Sequence, residues 1–385
     1  MMSQYQSYCE ALKGVRTPAL YLDEEALTKN MDWVIRNAGG KKIRVATKSV
    51  RSTEVLRKIL EYSNVFQGLM TYTLEESLWL RSLGFKDLLI GYPTVDASSL
   101  KALAQDPSEI ILMIDDPKQI EILKSHYQGK PFSICLDIDL SLDLPGVRFG
   151  VFRSPLKNLD RIKKISQVIL KTPEVKLMGL MGYEAQIAGV MDKESFLMRF
   201  LKSLSIPRLR KRRRDIFHQL INDGHKLPLV NGGGTGSLKS TSEESIVTEV
   251  TIGSAFFAPV LFDHYQSFTL SPAVGFALSV VRNPEPEIYT CLGGGYIASG
   301  SMEPIKTPTP YLPAGLKLLK HEGTGEVQTP LHYSGSDPLE IGSLVFMRHA
   351  KAGEACEHFQ DLHIIKGHHL ITTVKTYRGE GQRFL

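Results

Sequence analysis

Lys48 is the first residue whose type and place suggest chemistry. It closes an apolar run, KIRVATKS (42–49). Packing behind Val45 and Ala46 would strip part of its hydration, disfavour the ammonium and free the amine as a Schiff-base nucleophile. A surface lysine is the competing reading, since Lys41, Lys42 and Arg44 stand nearby. The segment LVNGGGTGS (229–237) is the second candidate. Its glycines let successive backbone N–H groups converge on an anion such as phosphate without side-chain obstruction. The plain alternative is a tight structural turn. The Walker pattern GxxxxGK[ST] is absent.

Three further groups carry weaker signals. Arg148, in LDIDLSLDLPGVRFG (136–150), offers a fixed cation toward a carboxylate or phenolate oxygen, or a partner for Asp137, Asp139 or Asp143. Tyr183 and Glu184, in MGYEAQIAG, suit either direct catalysis or a supporting hydrogen-bonded role. The stretch FMRHAKAGEACEHFQDLH (346–363) gathers His349, Glu354, Cys356, Glu357, His358 and His363. These are metal-ligand types, but their spacing matches no standard zinc pattern, and an exposed polar turn explains them equally. A second glycine cluster, CLGGGYIASG (291–300), fits a loose G-x-G-x-x-A at Gly293, Gly295 and Ala298. The proline-rich stretch that follows rejects the helix a dinucleotide fingerprint requires.

The elements that must position these residues alternate. KIRVATKS (42–49), VFQGLMTY (65–72), DLLIGYP (87–93), EIILMID (109–115), FSICLDID (132–139), KLMGLMGYE (176–184), LPLVNGGG (227–234) and TEVTIGSAF (248–256) are short and apolar. They read as strands buried on both faces. Amphipathic stretches such as 52–63, 74–84 and 117–127 lie between them. This predicts a (β/α)₈ barrel, with an open doubly wound sheet as the alternative. Lys48, Tyr183 and the glycine segment would then all stand at carboxyl ends of strands, where barrel active sites sit. Beyond residue 265, FALSVV (276–281), EIYTCL (287–292), SLVFMRH (343–349), LHIIKG (362–367) and HLITTVKTY (369–377) predict a smaller all-β domain, a small barrel or sandwich. The expected division is a barrel over 20–264 and a β domain from 1–19 plus 265–385.

The composition narrows the class. The chain has 385 residues, 42% hydrophobic and 23% charged, which is ample for a packed core. A net charge of +5 gives no reason to expect nucleic acid. The basic run at 208–214 reads as the solvated start of a helix, against a nucleic-acid patch. Four scattered cysteines argue against a disulfide framework. With no transmembrane run and no signal-peptide core in sight, cytoplasm is the default expectation.

The opening TPALYLDEEALTKNM, the lysine in VATKSV, the arginine in GVRFG and the loop NGGGTGS occur in that order. Together they resemble the fold-type III pyridoxal-phosphate enzymes, the alanine racemase barrel superfamily, and within it the D-threonine aldolase and D-serine dehydratase group. The resemblance implies pyridoxal 5'-phosphate held covalently by Lys48. It implies the phosphate on the amides of Gly232, Gly233, Gly234, Thr235 and Gly236, with Ser254 assisting. Arg148 would stand near the cofactor's phenolic oxygen and Tyr183 would line the pocket. It also implies a homodimer acting on a small D-configured β-hydroxy amino acid, by aldol cleavage or dehydration. His349 and Lys351 are the candidates for proton transfer at the hydroxyl. A racemase using Lys48 and a tyrosine, for which Tyr296 is the candidate, is one alternative. A non-catalytic cofactor carrier is another, and a barrel enzyme for a plain phosphorylated substrate is a third. Two departures stand out. In that group a histidine follows the sixth strand as base; here Gln186 occupies the place and takes no proton at neutral pH. The group's divalent metal rests on His-x-Asp or His-x-Cys, whereas this chain has His349-Ala350-Lys351. Lys351 replaces the ion, or Glu354 or Cys356 supplies the second ligand; the resemblance leaves the metal open.

Overall fold

The computed structural model describes residues 2–385. The chain forms two compact units. One comprises 34–47, 59–252 and 384–385, the other 2–33, 48–58 and 253–383.

The first unit is built on eight parallel strands. Strands are numbered along the chain, β1 (Ala19–Asp23) belonging to the other unit. The barrel takes β2 (Lys42–Ala46), β3 (Phe66–Thr71), β4 (Leu88–Ile90), β5 (Ile110–Ile114) and β6 (Phe132–Asp137). A hairpin, β7 (Leu142–Leu144) and β8 (Val147–Phe149), follows, and then β9 (Val175–Gly182), β10 (Leu229–Gly232) and β11 (Glu249–Ile252) complete the set. The barrel closes where β11 pairs with β2, Glu249 opposite Lys42 and Ile252 opposite Val45. All eight apolar runs of the sequence supply its strands, so the closed barrel and not the open sheet is the architecture. Alternate side chains fill the interior, where Leu89, Met113, Cys135, Met181 and Leu229 form one buried cluster.

The helices are equally legible in local chemistry. After α1 (Gln4–Ala11), α2 (Glu24–Asn37) and α3 (Thr53–Tyr62), Thr73 caps α4 (Leu74–Ser82) and Asp96 caps α5 (Ala97–Gln105). A capping box between Asp116 and Gln119, with Pro117 at the first helical position, starts α6 (Pro117–Ser125). Asn158 caps α7 (Leu159–Leu170). A single turn, α8 (Ala185–Ala188), leaves β9, and α9 (Phe196–Asn222) runs for 27 residues. Short α10 (Leu238–Ser242) and α11 (Ser254–Phe257) follow β10 and β11.

The second unit is a nine-stranded sheet, not a small barrel. Its later strands are β12 (Val274–Glu285), β13 (Ile288–Leu292), β14 (Thr309–Leu312), β15 (Leu316–Leu318), β16 (Gln328–Tyr333), β17 (Leu344–Arg348), β18 (Asp361–Lys366) and β19 (His369–Lys375). β1 lies between them, antiparallel to β12 and parallel to β18. α1 packs on this sheet: Tyr5 and Tyr8 meet Phe346 edge-on, and Tyr8 also meets Tyr21. No helix among the described residues is long and apolar enough to cross a membrane.

Candidate active site

The glycine loop is the most constrained part of the barrel unit. Gly232 ends β10, and a Cβ there would stand 2.9 Å from both the Arg213 guanidinium and the Glu184 carboxylate. Gly233 has φ +88°, and a Cβ would meet Val250 Cγ1 at 2.4 Å. At Gly234 a Cβ would lie 2.7 Å from that of Ala188 and 3.5 Å from the Tyr183 ring. Each glycine is demanded by close approach, and at Gly233 also by a backbone geometry that L side chains avoid.

Glu184, at the end of β9, holds this loop. Its carboxylate accepts from the Gly233 amide at 2.6 Å, Ser237 Oγ at 3.2 Å and Thr241 Oγ1 at 3.3 Å. The Arg213 guanidinium ties Glu184 to Glu244, and Arg213 is fully buried. The Gly233 amide, which the resemblance gives to the phosphate, donates here to the Glu184 carboxylate. The basic run is also corrected. It lies in the middle of α9, not at a helix start. Arg213 and Leu209 face inward, Arg212 donates to the carbonyls of Asp139 and Ser141, and Arg208, Lys211 and Arg214 face solvent.

A cleft opens beside the loop at the carboxyl ends of β6 and β9. Asp137, Asp139, Arg153, Ser154, Tyr183 and Gln186 line it. Arg148 donates to Asp139 at 2.7 Å and to the carbonyl of Val151 at 3.0 Å, and it stacks over Phe152. The acidic partner anticipated for it is thus Asp139. Arg153 lies 5.0 Å over the Tyr183 ring. Burial raises the Tyr183 phenol above its ordinary range, and Arg153 opposes the rise. Gln186 is buried and donates to Leu140 O at 2.7 Å and Ser205 Oγ at 3.2 Å, so its amide braces the barrel rim against α9.

Lys48, Ser254, His349 and Lys351 belong to the other unit. Lys48 follows β2 in a single 3₁₀ turn, Thr47–Ser49. Its side chain is exposed while Thr47, Ser49 and Val50 are buried, so the desolvation expected from sequence is not found. The turn is clamped from the 349–358 segment. A Cβ on Gly353 would meet the Lys48 carbonyl at 2.5 Å, and the Cys356 thiol donates to Val50 O. Arg51 donates to Lys48 O at 3.0 Å and pairs with Glu357, which Arg378 also holds at 2.9 Å. Ser254 opens α11, where its carbonyl accepts from Ala258 N.

The 349–358 donors do not suit a divalent metal. The Nδ1 of His349 is engaged by the Lys351 backbone, at 2.6 Å to O and 3.1 Å to N, which leaves its buried Nε2 as the one ring nitrogen able to ligate, without a set of further ligands gathered around it among the described residues. Lys351 puts an ammonium 2.7 Å from Ser299 Oγ and 3.5 Å from Glu354. Glu354 accepts from Ser299 N and Oγ at 2.5 and 3.0 Å. Burial raises the Glu354 carboxyl, but the Ser299 bonds and Lys351 outweigh it and hold it low. Burial pushes the Cys356 thiol up to about 12, and its proton is spent on Val50 O. Among the described residues no three His, Cys, Asp or Glu side chains gather as a metal site. Sequence reasoning missed Arg153, which stands in no motif, and passed over Ser299, although it lies in the glycine cluster 291–300; only the folded loops bring them to these groups.

The comparisons agree on the fold. No family model matches the sequence. The chain is 24% identical over 251 residues to 3-hydroxy-D-aspartate aldolase from Paracoccus denitrificans, covering 63% of this chain. It spans about 60% of the length of that curated relative. The crystal structure of D-threonine aldolase from Filomicrobium marinum superposes with a TM-score of 0.80 at 17% identity, over 96% of both chains. D-threo-3-hydroxyaspartate dehydratase from Delftia sp. HT23 superposes with a TM-score of 0.77 at 16% identity, over 95% of this chain and 98% of the other. With its closed eight-stranded barrel and separate, mostly β unit, the chain has the alanine-racemase-like fold known as fold-type III.

Proposed function

We propose that the chain is a pyridoxal-phosphate-dependent lyase acting on a small D-configured β-hydroxy amino acid, by aldol cleavage or dehydration. The observation that carries this reading is the glycine loop braced by Glu184 and Arg213, together with a lysine exposed on a clamped turn directly after β2. It is supported by relatives named for cleaving or dehydrating D-3-hydroxy amino acids. Lys48 is the residue to hold the cofactor covalently. The amides of Gly234 and Gly236, within the turn that contains Thr235, are those to bind its phosphate, with Ser254 contributing a hydroxyl. Gly232 and Gly233 act as spacers that admit Arg213 and Val250. Arg148, with Asp139 fixing its guanidinium, supplies positive charge toward the phenolic oxygen.

When bound, pyridoxal phosphate supplies an electron sink for a bond broken at Cα. The chain's own groups bind, orient and move protons. Tyr183 and Arg153 shape the wall beside the glycine loop. Lys48 is the base for an α-proton when its amine is released. Lys351 and the buried His349 stand on the segment that clamps the Lys48 turn, and the Lys351 ammonium supplies the positive charge of that segment. No step runs through a metal, because among the described residues no three ligand side chains gather around His349. Racemisation is the second activity the fold accommodates, but its candidate tyrosine, Tyr296, is held by ring contacts with Phe276, His358 and Phe359. A β unit of this size also distinguishes the chain from a bare-barrel carrier. A homodimer is part of the same reading.

The experiment is to incubate the holoprotein with D-threonine and with D-3-hydroxyaspartate, scoring aldehyde plus glycine against keto acid plus ammonia. Either product pair on the D but not the L substrate supports the reading. Interconversion of enantiomers without either pair makes the chain a racemase, and no turnover at all removes the lyase assignment.

A further inference from the structure

Among the described residues, one acid of the cleft beside the glycine loop, Asp137, has no ion-pair or hydrogen-bond partner for its carboxyl. β6 alternates its side chains, so Cys135 enters the barrel interior and Asp137, two residues on, caps the same face at the rim. Asp137 is 7% exposed. Its backbone carbonyl accepts from Ser154 Oγ at 2.6 Å, but among the described residues its carboxyl oxygens have no hydrogen bond or ion pair. Neither oxygen is among the occluded orphan atoms, so both keep some accessible surface, and Asp137 lines the cleft together with Tyr183 and Gln186.

Its neighbour shows the contrast. Asp139 accepts from Arg148 and from the Ser141 amide, each at 2.7 Å. The charged and titratable groups facing Asp137 are Asp115 from the end of β5, Asp139, Cys135 beneath it, and Arg153 across the cleft. Burial first, then Asp115 and Asp139, lift its carboxyl to about 7, with Arg153 opposing. A buried carboxyl among like charges, open to a cleft, is the arrangement of a general acid–base group. Gln186, which also lines this wall, spends its amide on Leu140 and Ser205.

We propose that Asp137 is the acid–base residue of this cleft, taking the proton of the substrate's β-hydroxyl. This rests on the lyase reading above. Ionised Asp137 accepts the O–H proton as the Cα–Cβ bond breaks and the carbon–oxygen bond becomes a carbonyl. The Cα–Cβ electron pair stays with Cα, where one proton is gained for the one lost from oxygen. The released products are an aldehyde and the shortened amino acid.

The test has two independent readouts on the holoprotein. Infrared difference spectroscopy of protein with ¹³C-labelled aspartate should show one carboxyl titrating near pH 7 in the parent and in Asp137→Glu, if glutamate is labelled as well, and none in Asp137→Asn. If no aspartate of the parent titrates there, the proposal falls whatever the activity. Asp137→Asn should keep a reducible cofactor adduct on Lys48 while kcat drops by roughly 10²–10⁴. Asp137→Glu should restore part of it with a shifted pH profile. Full activity and an unshifted profile in Asp137→Asn overturn the proposal. If Asp137→Asn does not fold, an unshifted profile in Asp137→Glu does so. A parent that titrates as expected but forms no adduct overturns the lyase reading and, with it, the hydroxyl role.

Discussion

Replacing Arg213 by leucine tests the claim that α9 holds the glycine loop from below. Arg213 is fully buried between Glu184 at 1% and Glu244 at 8% exposure, and it also donates to Gly182 O at 3.2 Å. Leucine leaves two carboxylates in a low-dielectric site without their cation. Removing one partner of a buried pair costs about 3–5 kcal/mol. Two stranded acids place this variant in the upper half of that range, roughly a thousandfold in the folded ratio. The pH dependence gives the sign. With Arg213 gone, the folded-state carboxyls rise above their unfolded range, so the folded state binds protons more tightly than the unfolded one. Stability then improves as pH falls, and the deficit should be largest near about pH 8 and shrink toward about pH 5. Urea unfolding at both values, with the exposed neighbour Arg214→Leu as control, measures this. The control should stay within about 0.5 kcal/mol of the parent. A loss below about 1 kcal/mol, or an equal loss at both pH values, refutes the buried-network argument.

Gly233→Ala forces a side chain into φ +88° with its Cβ 2.4 Å from Val250 Cγ1. It should cost about 1–3 kcal/mol and weaken phosphate-dependent cofactor binding, read by melting temperature and by equilibrium dialysis. Lys351→Asp replaces an ammonium with a carboxylate two residues from His349. The parent should show no Mn²⁺ binding and no response to chelator, while the variant gains measurable Mn²⁺ binding by calorimetry; binding by the parent would contradict the donor analysis. Asp137→Asn should stabilise the protein above neutrality. The native carboxyl, lifted to about 7, costs stability as pH rises from the ordinary carboxylate range through that value. Removing it should flatten this decline, by roughly 2–4 kcal/mol, in denaturant titrations across the range.

The barrel was legible because its strands are buried on both faces and read as uninterrupted apolar runs; all eight fall in the runs the sequence shows. The β unit was legible where its strands carry runs of Val, Ile, Leu and Phe, as β12, β17, β18 and β19 do. β14 and β16 contain Pro310 and Pro330, which argue against strands, and β15 is three residues long with Lys317 at its centre; β16 alternates in burial, but its sequence QTPLHY hides this. α1 escaped notice because its apolar content is aromatic, Tyr5 and Tyr8, which pack on Phe346 from across the chain. In the candidate site, Lys48 and the glycine loop were legible because lysine and repeated glycine have few competing explanations at strand ends. Arg213 looked like surface charge, since a run of basic residues says nothing about which helix face turns inward. Asp137 looked like a partner for Arg148; only the fold gives that arginine to Asp139 and leaves Asp137 alone.

Borohydride reduction of the protein after incubation with pyridoxal phosphate, followed by peptide mass mapping, tests the central assignment most directly. The expected result is a pyridoxyl-phosphate mass on the peptide containing Lys48 and its loss in Lys48→Ala. An adduct confined to another lysine, or none at all, would contradict it.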